Sequence, residues 1–200
     1  YSAHSSILLS AGQDDAEPMW KDSNVLEIKS EILDYTKGLS NWPMVVIGES
    51  GSGKTSLLAQ TCRELQKDQP FDHILFHCVS GAPDSQELSL FLFRIIEDLK
   101  KRFHVRFDFA DLHLATLKEA LSQVLLKSQI DSTLILVIDN LDLLTCDAQP
   151  YWDLDWFPNT FPQRCRFIVS CQEGKLLNNL RRNRLQFGGQ VELHEIMMPP

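Results

Sequence analysis

Residues 48–56 read Gly-Glu-Ser-Gly-Ser-Gly-Lys-Thr-Ser, and they constrain the fold more than any other stretch of the chain. The stretch sits between an apolar run, Met44 to Ile47, and a helix-like pattern that runs from Lys54 to about Lys67. A short apolar run bounded by turn residues reads as a buried strand. Glycines let successive backbone N–H groups turn to one side and form a nest for an anion. The helix that follows adds unpaired N–H groups and the positive end of its dipole. Gly48-x-x-x-x-Gly53-Lys54-Thr55 fits the phosphate-loop pattern at every specified position. Gly48, Glu49, Ser50, Gly51, Ser52, Gly53, Lys54, Thr55 and Ser56 are therefore expected to line a nucleoside triphosphate site. Lys54 is expected to reach the β- and γ-phosphates, and the Thr55 hydroxyl to ligate Mg²⁺.

A phosphate loop needs a second metal anchor, an acid at the C-terminal end of a hydrophobic strand. Leu134-Ile135-Leu136-Val137-Ile138-Asp139 supplies it, with Asp139 as the expected partner of Thr55 in holding Mg²⁺. Hydrolysis also requires a group that orients water. Many relatives with this loop place Glu directly after the metal Asp, but Asn140 stands there. Asp142 is the next carboxylate and the candidate catalytic residue, together with Lys54; its other reading is a cap on the turn into Leu143-Leu144. Ser170, at the end of the Phe167-Ile168-Val169-Ser170 run, is the candidate polar sensor of the γ-phosphate. Arg181, Arg182 and Arg184 read as a solvated basic face, with stabilisation of phosphoryl charge as the functional alternative. His73, His77, His104 and His113 lack metal-ligand spacing with the cysteines and read as structural.

The remaining periodicities predict an α/β fold of three layers, with a parallel sheet of about five strands and helices on both faces. Residues 1–22 read as an irregular arm. A helix is expected over Val25 to Leu39 with Ser23 or Asn24 as its cap. Strands are expected at Met44 to Ile47, His73 to Val79, Thr133 to Ile138, Arg166 to Ser170 and, weakly, Val191 to Leu193. Further helices are expected up to Phe103, capped by Asp84 or Ser85, and over Leu112 to Lys127. Tyr151 to Pro162 reads as an aromatic, proline-rich loop. Two units follow: residues 1–42 as an arm and helix packed on the core, and residues 43–200 as the core itself, the whole expected to be a segment of a longer protein.

Charge and composition narrow the partners. With 27 acidic against 19 basic residues, the chain carries a net charge of −8, which argues against a general nucleic-acid surface. No apolar run reaches the roughly 18 residues of a membrane span. The 5 cysteines form no CxxC pair and read as reduced thiols of a cytoplasmic protein.

The segments Val45-Val46-Ile47-Gly48 through Ala59, Phe76 through Leu88, Leu134 through Leu144 and Asp155 through Ser170 resemble the nucleotide-binding domain of STAND-class signalling ATPases. Within that class they are similar to the NACHT-like branch, of the type in nephrocystin-3 and the telomerase-associated WD-repeat protein. The resemblance spans roughly residues 43–175. It implies a core of strand order 5-1-4-3-2 that binds ATP or ADP with Mg²⁺ and switches between closed and open forms. It also implies protein partners recruited through a TPR or WD-repeat array outside this segment, with self-association possible. Three departures bear on activity. The glycine-arginine-acid run expected before the loop is replaced by Trp20 to Val25. Leu143 stands where an acid often follows the position of Asp142, which implies slow turnover. A winged-helix cover would lie beyond Pro200.

The expected function is an ATP-binding, slowly hydrolysing regulatory switch domain of a larger signalling or scaffold protein, probed as a weak Mg-dependent ATPase. The alternatives are a P-loop small-molecule kinase, with Arg181 to Arg184 as a lid and only Arg94 and Asp98, on a helix with a strong apolar face, as candidate substrate groups, and a nucleotide-binding interaction domain without turnover. A GTPase is disfavoured because no N-K-x-D run occurs.

Overall fold

The computed structural model describes residues 23–40, 42–69, 72–81, 84–108, 111–128, 132–157, 162–183 and 193–199. The elements follow one another as α1 (Ser23–Lys37), β1 (Met44–Ile47), α2 (Lys54–Asp68), β2 (His73–Cys78), α3 (Leu88–Phe103) and α4 (Leu114–Lys127). Then come β3 (Leu134–Asp139), a 3₁₀ turn (Leu141–Leu143), β4 (Thr145–Cys146), β5 (Gln149–Pro150), β6 (Cys165–Cys171), α5 (Lys175–Asn183) and β7 (His194–Met197). Strands β1, β2, β3, β6 and β7 form one parallel sheet in the order β2-β3-β6-β1-β7, while β4 and β5 make a small antiparallel hairpin. Counting only the sheet strands along the chain, this is the expected order 5-1-4-3-2.

Strand alternation sorts the core into two halves. Val45 and Ile47 of β1 join Leu134, Leu136 and Ile138 of β3 and Phe167 and Val169 of β6 on one face. That face is covered by α3, α4 and α5 through residues such as Leu92, Ile95, Ile96, Leu121, Val124 and Leu177. Met44, Val46, Ile135, Val137 and Ile168 point to the other face, covered by α1 and α2 through Ile28, Ile32, Leu57, Leu58 and Leu65. Every residue of β1, β3 and β6 is buried, as parallel strands covered on both sides require. Burying each Leu or Ile side chain of α3 contributes about 1.5–3 kcal/mol, so the apolar faces outweigh any defect in helix capping.

Tyr35 fastens α1 to the sheet. Its hydroxyl shares its one proton between the carbonyls of Trp42 (2.5 Å) and Phe167 (3.0 Å), and burial pushes its pKa well above the ordinary value. The Arg166 guanidinium adds a bond to the Gly38 carbonyl at the end of the same helix (2.5 Å).

Several boundaries differ from the sequence expectation. Helix α1 starts at Ser23 and stops at Lys37, where the Gly38 N–H bonds back to the Asp34 and Tyr35 carbonyls. Neither Asp84 nor Ser85 caps α3, which begins at Leu88 after Glu87. The Ser85 hydroxyl is spent on the Val79 carbonyl, and Asp84 adopts a left-handed turn (φ 59°). A strand runs over His194–Met197; of the expected run Val191 to Leu193, only Leu193 lies among the described residues, just before that strand. Its sequence is half polar, and pairing with β1 in the register Met44↔His194 to Ile47↔Met197 decides its place. Strands β3 and β6 each include the residue that follows the expected run, Asp139 and Cys171. Helix α5 buries Leu176, Leu177 and Leu180, so the basic run rides on an amphipathic helix. The arm over 1–22, Arg184 and Val191 lie outside the described residues.

Candidate functional site

Two peptide contacts at the end of β1 set the entry to the glycine loop. The Gly48 N–H donates to the Cys171 carbonyl (3.3 Å), and the Ile47 carbonyl accepts from the Met198 N–H (2.7 Å). The loop then turns at Gly51 (φ 84°) and Gly53 (φ 88°), left-handed conformations that strain any residue with a Cβ. Gly53 is the residue from which α2 departs, and its carbonyl accepts the Leu57 N–H (2.9 Å). Glu49, Ser50 and Ser56 are exposed, whereas Ser52, Gly53 and Thr55 are half-buried. The Ser52 hydroxyl is shielded from solvent and has no hydrogen-bond partner among the described residues.

Lys54, on the first turn of α2, is only 5% exposed, and its ammonium donates to the carbonyls of Gly48 (2.8 Å) and Glu49 (2.7 Å). The loop thus closes on its own lysine. Thr55 stands beside it and donates its hydroxyl to Asp139 Oδ2 (2.7 Å), across 84 residues of sequence. The two residues expected to hold a metal are therefore neighbours in space.

Asp139 is fully buried at the end of β3. Its Oδ1 accepts the Ser170 hydroxyl (2.5 Å), and that same hydroxyl accepts the Asn140 N–H (2.9 Å). Its Oδ2 accepts from Asn140 Nδ2 (3.0 Å) and from the Cys78 thiol (3.4 Å) as well as from Thr55. Asn140 Nδ2 also reaches Ser80 Oγ (3.1 Å), and Asn140 itself is left-handed (φ 58°). Burial pushes the Cys78 thiol up, and the Asp139 charge pushes it further.

Asp142 lies on the 3₁₀ turn past Asn140, half-buried, with Oδ1 shielded and unpartnered among the described residues. It neighbours Cys171 electrostatically. Burial first, and the Asp142 charge second, push that thiol up to about 12 against the pull of Lys54. Lys54, Thr55, Asp139, Asp142 and Ser170 thus gather at the C-terminal ends of β1, β3 and β6, where open α/β sheets bind ligands.

Other candidates lie elsewhere. Arg181 makes a two-pronged pair with Glu195 of β7, Nε to Oε1 at 2.8 Å and Nη2 to Oε2 at 2.6 Å. Arg182 is exposed on α5. Asp98 and Arg94 flank His77 on the α3 side of β2; burial holds that imidazole below its ordinary pKa while Asp98 opposes the shift. An open groove of about 530 Å³ runs along α1 beside Glu31, Asp34, Tyr35 and His194. The sequence reading passed over Cys78, Ser80 and Met198. Cys78 meets Asp139 because β2 pairs with β3 in the register Cys78↔Asp139, which no local pattern encodes.

Residues 40–185 match a family model described as AAA domain. A TPR repeat-containing protein of Dictyostelium discoideum is 24% identical over 184 aligned residues, covering 73% of this chain and 11% of that protein. The chain therefore spans about a tenth of that relative. Among solved structures, Cdc6p from Pyrobaculum aerophilum superposes with a TM-score of 0.59 at 15% identity, over 97% of this chain and 49% of that one. The Aeropyrum pernix ORC1 protein, solved in complex with DNA, gives 0.58 at 16% identity, over 97% and 48%. The Aeropyrum pernix ORC2 protein, solved as ADPNP–ADP complexes, gives 0.54 at 14%, over 96% and 50%. At these identities the likeness is one of fold, and the chain spans about half of each solved relative.

Proposed function

The chain belongs to the AAA-domain family of P-loop NTPases, and from that premise we propose that it is an ATP-binding, slowly hydrolysing switch domain of a larger signalling or scaffold protein. The observation that carries the reading is the 2.7 Å bond between Thr55 and Asp139 at the mouth of the glycine loop.

The residues present fit the ligand. The left-handed glycines shape a backbone nest, and the shielded Ser52 hydroxyl and Asp142 Oδ1 have no protein partner among the described residues. On binding, the Lys54 ammonium would leave the Gly48 and Glu49 carbonyls for the β- and γ-phosphate oxygens. The loop amides and the N-terminus of α2 would take the remaining phosphate charge. Thr55 and Asp139 would hold Mg²⁺, which supplies charge neutralisation on the phosphates. Ser170 orients the Asp139 carboxylate through Oδ1, and Asn140 shares Oδ2 with Thr55.

Slow turnover follows from Asn140. A carboxamide cannot accept a proton from water, and this one is tied to Asp139 and Ser80. Asp142 is left as the carboxylate that positions or polarises water. The same Asn140 contacts favour a second reading, an interaction domain that binds nucleotide without turnover.

The finer assignment to the NACHT-like STAND class rests on the sequence segments already named. The curated relative's TPR repeats support a scaffold context with protein partners and self-association through other regions. The archaeal ORC1 relative was solved with DNA, yet the −8 net charge of this chain favours protein partners over a general DNA surface. Buried thiols at Cys62, Cys165 and Cys171 suit a reducing, cytoplasmic setting.

Calorimetric titration with ATP, with and without Mg²⁺, combined with steady-state phosphate release, tests the proposal. Mg-dependent ATP binding with slow release supports the switch. Binding without release selects the interaction domain, and failure to bind ATP or ADP rejects the nucleotide site.

A further inference from the structure

Gly48 is confined from two sides, by Met198 and by Ser52. A Cβ built on Gly48 would stand 2.8 Å from Met198 Cβ and 2.7 Å from Ser52 Oγ, closer than real side chains approach. The absence of a side chain lets Met198 close against the loop's first residue. The same Met198 donates its N–H to the Ile47 carbonyl (2.7 Å), half of the peptide unit whose other half, the Gly48 N–H, bonds to Cys171 (3.3 Å). The Ile47–Gly48 peptide is therefore gripped between β7 and β6. The next carbonyl along, that of Gly48, holds the Lys54 ammonium.

Strand β7 is held on a second side. Glu195 on it takes the two-pronged pair with Arg181 of α5, and α5 follows directly on β6, which carries Ser170 and Cys171. Strand β7 is also bonded to β1, in the register Ile47↔Met197, and to Glu31 of α1 through His194 (2.6 Å). Movement at the tip of β7 thus changes the orientation of the peptide on which the phosphate loop hinges. By reciprocity, any ligand that re-forms the loop must shift the free energy of the β7 tip by the same amount.

We propose that Met198 is a positioning residue for the phosphate loop, and that its contact with Gly48 couples nucleotide occupancy to strand β7. The inference rests on the nucleotide reading given above and names the route by which occupancy leaves the site. Met198 acts through Gly48 and, behind Gly48, through Lys54.

The test compares wild-type protein with Met198→Ala, Met198→Gly and Met198→Leu. Hydrogen exchange without nucleotide comes first. Loss of the side chain should speed exchange of the Ser52 amide, which bonds to the Glu49 carbonyl at 3.2 Å, while Met198→Leu restores it. ATP affinity should fall about tenfold in Met198→Gly and recover in Met198→Leu. In the wild type, saturating Mg-ATP should slow exchange of the Met198 amide. Unchanged loop exchange in both truncations, or ATP affinity equal to wild type in folded Met198→Gly, overturns the proposal. Should Met198→Gly fail to fold, the wild-type Met198 amide decides: exchange indifferent to bound ATP overturns the coupling. If wild-type protein binds no ATP, the nucleotide reading fails, and the nucleotide-free loop exchange alone judges the positioning role.

Discussion

A buried ammonium bonded to two carbonyls of its own loop is a cation waiting for a better acceptor. Carbonyl oxygens carry partial charge, whereas phosphate oxygens carry formal charge, and charge-assisted bonds are roughly twice as strong as neutral ones. Lys54→Ala is therefore expected to weaken ATP binding about a hundredfold, the worth of ~3 kcal/mol of charged hydrogen bonding. The fold should persist, because the ammonium bonds to two carbonyls of the loop rather than to the sheet core. Calorimetry alongside a thermal melt checks this, and wild-type affinity in the variant would reject the phosphate-loop assignment. Asp142 yields a different expectation. Its Oδ1 lacks a protein partner among the described residues, so the carboxylate is not spent on capping there. Asp142→Asn should lower phosphate release about a hundredfold, within the range for a lost general base, and change ATP affinity little. Equal losses in rate and affinity would make Asp142 a structural residue.

Helices stay on this sheet through a few polar fastenings laid over a large apolar contact. Tyr35 is the clearest case, because its hydroxyl serves the carbonyls of Trp42 and Phe167 and also accepts the Phe167 N–H (3.3 Å). Tyr35→Phe removes these buried hydrogen bonds. It should cost about 1–3 kcal/mol, read from the urea midpoint at constant slope. No change in midpoint would mean that α1 docks by apolar contact alone. The same logic explains the misplaced start of α3. Asp84 and Ser85 have the chemistry of caps, but Ser85 found a carbonyl at Val79, and Thr145 took Gln86 through its N–H (2.7 Å). Tertiary partners outbid the local signal for the first helical turn.

Across the whole fold, groups that ionise only at high pH are concentrated where water cannot reach. Burial pushes the thiols of Cys62, Cys165 and Cys171 from 9.0 up to about 12, and raises Tyr35 above its ordinary value of 10.0. Folded-state values above the unfolded ones mean that stability is complete below pH 9 and is lost as pH rises toward 12. Each thiol contributes a slope of up to ~1.4 kcal/mol per pH unit in that window. The urea midpoint should therefore fall between pH 9 and pH 10, and replacing Cys62 and Cys165 by Ala should flatten the fall. A midpoint indifferent to pH across that interval would show that these thiols ionise as easily in the folded chain as in the unfolded one.

Much of this arrangement was legible in residues 44–56 and 134–139. Apolar runs of strand length, glycines at a fixed interval and a lysine at a helix start are local statements, each enforced by sterics or by an anion's need for donors. They specify a parallel α/β core and the loop proposed to face phosphate. Other features depend on register between distant segments: Cys78 beside Asp139, Ser170 bonded to its carboxylate, Arg181 taken up by Glu195, and Met198 against Gly48. Strand β7 shows the limit most clearly, since His194-Glu195-Ile196-Met197 has one buried residue and little strand character of its own. It is a strand because β1 offers it an open row of peptide groups, and hydrogen bonding to a neighbour is a property of the assembled sheet that no single segment carries.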